Sequence, residues 1–214
     1  SSSGEPIMSR FQLAARAAHA FLDGKKASDE VSLLVFSSKA YRMDDTWFTN
    51  AFKDADGNRA SYSVSPSGFS TDASRLRLPI DYYNPNSDFW RSTGDPMHPA
   101  TIATGLEPYQ YVYPFLEYAA LYSAVVDGLN WISSRPNQRR IVIAMTDGRN
   151  NFGDETLETA ISKAQALGVP VYTIGYDLDS NDSSHATAIG LLRTLANQTG
   201  AKSSIVNGTD IVGF

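Results

Sequence analysis

The stretch that decides the fold is IVIAMTDGRNNFGD, residues 141–154. An apolar run over 141–145 ends abruptly at Thr146-Asp147-Gly148. An Asp-Gly pair suits a turn wherever it falls, since glycine takes backbone angles other residues avoid and aspartate hydrogen-bonds its own turn. A carboxylate at the carboxyl end of a buried parallel strand also stands where α/β proteins bind ligands. The surrounding pattern has to choose between the two.

Downstream, Leu157, Ala160, Ile161, Ala164 and Leu167 recur at helical spacing, which predicts a helix over about 155–167 with Asp154 as its cap. Gly168 stops it, and VPVYTIG (169–175) reads as the next strand. A helix over about 184–197 follows, carrying Ile189, Leu192, Leu195 and Ala196, and SSIV (203–206) is a short closing strand. Upstream, a helix is expected over about 114–132, with Pro114 in its first turn. Its buried side is read as Leu116, Ala119, Ala120, Ser123, Ala124, Val126 and Leu129, while YQYVY before it fits either strand or helix. Near the start, Phe11, Ala14, Ala15, Ala18, Phe21 and Leu22 form one stripe of a helix over 8–22. VSLLVF (31–36) then reads as a strand buried on both faces. Alternating strands and helices with short connections predict a Rossmann-like α/β domain over 1–214, its mostly parallel sheet covered on both sides.

Residues 49–105 break this rhythm. They are rich in Ser, Asn, Asp, Gly and Pro, show no sustained period and are too long for an ordinary connection. An irregular, functional insertion is expected, with aromatics such as Phe69 and Trp90 packing it down or forming a contact surface.

Composition removes several functions. With 42% hydrophobic and 19% charged residues, the chain is ordinary for a globular protein, and no apolar run approaches a membrane span. A net charge of −5, with no basic cluster beyond Arg139-Arg140, argues against nucleic acid as a partner. Cysteine is absent, which excludes disulfides and thiolate chemistry, and three dispersed histidines lack zinc-hydrolase spacing. There is no GxSxG elbow, Walker loop or GxGxxG after a strand, so a non-enzymatic protein is expected. Asp177, Asp179 and Asn181 open like a calcium loop. Asp182 at the sixth position and Ala188 at the twelfth break that pattern, leaving a solvated loop.

Three stretches, EVSLLVFSSKA, IVIAMTDGRNNFGDETLETAISKAQALGVPVYTIGYD and LANQTGAKSSIVNGTDIVGF, resemble the von Willebrand factor A domain family. The middle one is the most specific, with strand, TDG turn, helix and YTIG strand in family order. The resemblance implies a metal-ion-dependent adhesion site built from a DxSxS motif, a threonine on a second loop and the aspartate of the TDG turn. Such an oxygen shell suits Mg²⁺, Ca²⁺ or Mn²⁺. Asp147 matches the third element. No DxSxS occurs. With an aspartate just ahead of position 1, Ser1 and Ser3 become the motif serines, and a register on Ser2 stays open. Thr104 or Thr101 is the available threonine, although aligning on the helix puts Phe115 near that slot. Gly148, Arg149, Asn150 and Trp90 are the expected ligand contacts.

The family's first strand lies between the two strands read here at 31–36 and 141–145. Strands pair about 4.8 Å apart, so without it these two would stand roughly 9.6 Å from each other. Each backbone group left buried and unpaired would cost about 1–3 kcal/mol. A central strand supplied by an upstream segment or a partner chain is therefore expected. The resemblance implies a module that binds a protein ligand or cell-surface component. Insertion, absent cysteine and missing strand together suggest part of a larger bacterial surface or pilus-associated protein. A structural module with a dead metal site and an accessory subunit of a larger enzyme remain alternatives.

Overall fold

The computed structural model of the protein describes residues 10–36, 40–42, 68–83, 119–148 and 150–206. In chain order these form α1 (Arg10–Gly24), β1 (Leu34–Phe36), β2 (Ala40–Arg42), α2 (Ala73–Tyr83), α3 (Leu121–Ser133), β3 (Val142–Thr146), α4 (Leu157–Leu167), β4 (Val171–Tyr176), α5 (Ser183–Gln198) and β5 (Ser203–Val206). The expected α/β architecture is present. Strands β3, β4 and β5 form a parallel sheet in that order, with Thr146 opposite Gly175 and Gly175 opposite Ile205.

Successive strand residues point to opposite faces, and the two faces of this sheet are covered differently. Ala144, Val171 and Thr173 join the main core with Leu121, Val125 and Leu129 of α3, Ala160, Ile161 and Ala164 of α4, and Ile189, Leu192 and Leu195 of α5. Gly175 lies on this face because a β-carbon there would sit 2.7 Å from Leu178 Cδ1 and 2.8 Å from Ile205 Cδ1. On the other face, Met145, Ile174 and Tyr176 are only partly buried, against Ala17 of α1 and Val206.

Several expectations shift. Phe21, read as part of the buried stripe of α1, is 43% exposed, and Ala17 is buried instead. Helix α1 is engaged from two sides, so one stripe cannot describe it: Ala17 meets the sheet, while His19 and Asp23 receive Arg77 of α2. Helix α3 starts at Leu121, so Ala119 precedes it, while Ala120, fully buried as expected, is its N-cap. Helix α4 is capped by Thr156 rather than Asp154, through a reciprocal pair in which Thr156 Oγ1 accepts from Thr159 N and Thr159 Oγ1 accepts from Thr156 N.

Part of the insertion expected to be irregular is regular. Residues 73–83 form α2, burying Leu76 and Ile80 one helical turn apart, with Asp72 Oδ1 accepting from Ser74 N at its start. Pro79, a residue that reads as a helix breaker, hides this helix in the sequence. A bridge between Val31 and Ser70 ties the segment before α2 to the chain before β1.

Strand β1 is shorter than the run over 31–36, and it pairs antiparallel with β2 rather than with the parallel sheet. Leu33, Leu34 and Phe36 are half-buried rather than enclosed on both faces. Among the described residues, the edge of β3 away from β4 has no partner strand, and β1 and β3 are not paired. The stretch YQYVY and the proposed helix start at Pro114 lie outside the described residues.

Candidate functional site

The end of β3 builds the site. Thr146 is 3% exposed, and its hydroxyl holds the turn: Gly148 N donates to Thr146 Oγ1, and Thr146 Oγ1 lies 3.2 Å from Gly148 O. Asp147 follows, half-buried at the carboxyl end of a parallel strand, as the sequence led us to expect. Strand β4 ends likewise on an aspartate, Asp177, which has a positive φ of 56° and whose amide donates to Val206 O. Asparagine and aspartate enter this left-handed region more readily than other non-glycine residues.

Beyond Gly148 the chain is clamped onto α3. The first amides of a helix have no partner within it, and an N-cap side chain normally takes the second or third. Here the N-cap is Ala120, which has no side chain for the task. Asn150 supplies it from a distance, its Oδ1 accepting from Tyr122 N at 3.0 Å. Asn151 Oδ1 accepts from Ala119 N at 2.7 Å, and Asn151 N donates to Ala119 O at 3.1 Å. Gly153, at φ 94°, lies so close that a β-carbon would sit 2.5 Å from Ser123 Oγ. Asn150, expected as a ligand contact, accepts from Tyr122 N, and Asn151 and Ser123 meet the same loop although no known sequence motif points to them. The Asn-Asn pair after the TDG turn was the visible signal.

The carboxyl ends of β3 and β4 lead into acidic loops and first helical turns bearing Asp154, Glu155, Glu158, Asp179 and Asp182. Asp182 caps α5, and the Ser184 hydroxyl, then the His185 and Ser184 amides, pull its carboxyl down to about 2. Asp179 Oδ1 accepts from Asn181 N and Nδ2, so this segment is a turn and cap rather than a calcium loop. On α3, burial first and the Glu155 charge second push the Asp127 carboxyl up. Burial likewise raises the Tyr122 phenol, with Glu158 adding to it.

Of the residues expected as metal ligands, Asp147 follows the end of β3, whereas Ser1, Ser3, Thr101 and Thr104 lie outside the described residues, as do Phe115, Arg149 and Trp90. Among the described residues no three His, Cys, Asp or Glu side chains come together as a metal-holding group.

Residues 119–207 match the model of the von Willebrand factor type A domain. The chain therefore carries that domain's sequence signature from just before α3 to the end of β5, on a Rossmann-like α/β fold. Among solved structures it is similar to an aerotolerance-related membrane protein from Bacteroides fragilis carrying multiple mutations to serines. The two are 14% identical with a TM-score of 0.56, over 97% of this chain and 85% of that one. An uncharacterized membrane spanning protein from Vibrio fischeri, also 14% identical, aligns with a TM-score of 0.30 over 99% and 84% of the two chains. No curated protein matches the chain. No helix among the described residues is long and apolar enough to cross a membrane.

Proposed function

We propose that the protein is a non-enzymatic binding module of a larger surface or pilus-associated protein. It engages a protein ligand or cell-surface component through the carboxyl edge of its parallel sheet, with a divalent cation at Asp147 as the contact. The observation that carries this reading is the position of Asp147, half-buried where β3 ends, inside the stretch that matches the von Willebrand factor type A domain. The acidic loops beside it concentrate cations at that edge. A bound cation would supply an open coordination position for a carboxylate of the partner, while the chain's own part is to fix the Asp147 turn. Description of the Bacteroides fragilis protein as a membrane protein agrees with a cell-envelope setting.

The test is thermal unfolding of the protein and of Asp147→Ala in EDTA, Mg²⁺ and Mn²⁺. A cation at about 100 times its Kd stabilises the folded state by about 2.7 kcal/mol, a rise of several degrees that Asp147→Ala should abolish. Equal unfolding temperatures of the unaltered protein in EDTA and in both cations would overturn the cation reading and favour an assembly module.

The reading also includes a further strand pairing with β3 along the edge that has no partner among the described residues. An apolar peptide ending in aspartate should then raise hydrogen-exchange protection at Ile143 and Met145. Unchanged protection at saturating peptide would count against it.

A further inference from the structure

The geometry points to Asn150 and Asn151 as positioning residues that set where the Asp147 turn sits. The inference rests on the reading of Asp147 as the ligand-bearing residue, and it names what holds that residue in place.

Two anchors fix the turn. On one side, strand β3 and the Thr146–Gly148 contact hold its beginning. On the other, Asn150 and Asn151 bond to amides 28 and 32 residues earlier in the chain, at the start of α3. The pair works in both directions. It closes the open amino end of a helix whose own N-cap is alanine, and it ties the exit of the turn to the most buried helix of the core, where Leu129 is 0% exposed. Gly153 lets the loop lie flush on α3, because no side chain fits between its backbone and Ser123. Both asparagines commit their side-chain carbonyls to backbone amides, Asn150 to Tyr122 in the first turn of α3 and Asn151 to Ala119 just before it, so they serve as braces for the turn. Residues that orient a ligand without touching the ion are worth about 10–100-fold in metal affinity in known sites.

The experiment compares the unaltered protein with Asn150→Ala, Asn151→Ala, Asn150→Asp and Gly168→Ala. Gly168, with φ 61° at the end of α4, is a stability control remote from the turn. Two readouts are taken: Mn²⁺ affinity, and the Asp147 and Gly148 backbone amide resonances without metal. Each alanine variant should shift or broaden those two resonances and weaken Mn²⁺ about tenfold or more. Asn150→Asp keeps the oxygen acceptor and should return the resonances to their original positions. Gly168→Ala should lower the unfolding temperature yet leave both readouts unchanged. Alanine variants with unmoved Asp147 and Gly148 resonances would overturn the inference, as would affinity that merely tracks unfolding temperature across all four variants. If the unaltered protein binds no Mn²⁺, the cation reading fails, and the metal-free resonances alone decide whether the asparagines position the turn.

Discussion

Helices α3 and α4 lie side by side in one core, yet they begin in opposite ways. Helix α4 carries its own start: Thr156 and Thr159, three residues apart, exchange hydrogen bonds across its first turn. Helix α3 borrows its start from the loop after β3, through Asn150 and Asn151. A local cap forms with the helix and costs little loop entropy. A borrowed cap forms only once the chain between the two segments is ordered. The first kind makes a helix stable on its own terms. The second makes the helix start and the Asp147 turn a single unit, which suits a loop that must present one carboxylate at a fixed place.

The largest effect expected from breaking this contrast is at Gly153. Its φ of 94° excludes side-chain-bearing residues without strain, and a β-carbon there would meet Ser123 Oγ at 2.5 Å and Ala120 Cβ at 3.3 Å. Gly153→Ala should destabilise the protein by about 2–3 kcal/mol, combining backbone strain with overpacking. Hydrogen exchange should show the first turn of α3 losing protection while α4 keeps its own. Adding Ser123→Ala removes the hydroxyl clash and should recover part of the loss, leaving the backbone part in place. If Gly153→Ala deprotects α4 as strongly as α3, the two starts are not independent and the comparison breaks.

Thr156→Ala tests the other side and should cost less, about 1 kcal/mol, the usual value of an N-cap side chain. Lost protection should be confined to the first turn of α4. The Asp147 turn should be indifferent to it, since the Thr156 side chain is committed to Thr159 within the first turn of α4.

The same contrast explains what was legible in the sequence. The parallel unit from β3 to β5 could be read because each signal in it is local: an apolar run ended by a polar turn, a helical stripe, a glycine stop. Strand β3 falls within one residue of the run over 141–145, and Gly168 ends α4 as expected. The start of α4 was misread by two residues because Asp154 and Thr156 are both good caps, and only Thr156 has a reciprocal partner three residues on. The start of α3 could not be read, since the side chain that caps it, Asn150, stands 28 residues downstream of the Tyr122 amide. Helix α2 was hidden by Pro79, although Leu76 and Ile80 carry its buried side. At the site, the place of Asp147 was legible because an apolar run that ends in a TDG turn puts it at the carboxyl end of a strand. The bracing role of Asn151 was not, because nothing local distinguishes a brace from a ligand contact.

Helix α5 gives the smallest and most specific test, because its local cap is a titrating one. The Asp182 carboxylate accepts from the Ser184 hydroxyl at 2.6 Å, from Ser184 N at 2.7 Å and from His185 N at 3.2 Å, and these contacts bring its pKa down to about 2. An aspartate in an unfolded chain titrates near about 3.9. A carboxyl whose folded pKa is depressed contributes stability above its unfolded value and loses that contribution as pH falls through the folded one. The cap of α5 should therefore weaken between roughly pH 4 and pH 2, while the threonine pair of α4 and the asparagine pair of α3 carry no group that titrates there. Asp182 is fully exposed, so the effect belongs to the helix end rather than to global stability. Carboxyl carbon NMR should place its midpoint below that of an ordinary aspartate, and Ser184→Ala, which removes the largest cause, should move it upward. A midpoint for Asp182 in the ordinary range would mean that α5 does not begin with a local charged cap, and the division between written and borrowed helix starts would then rest on α4 alone.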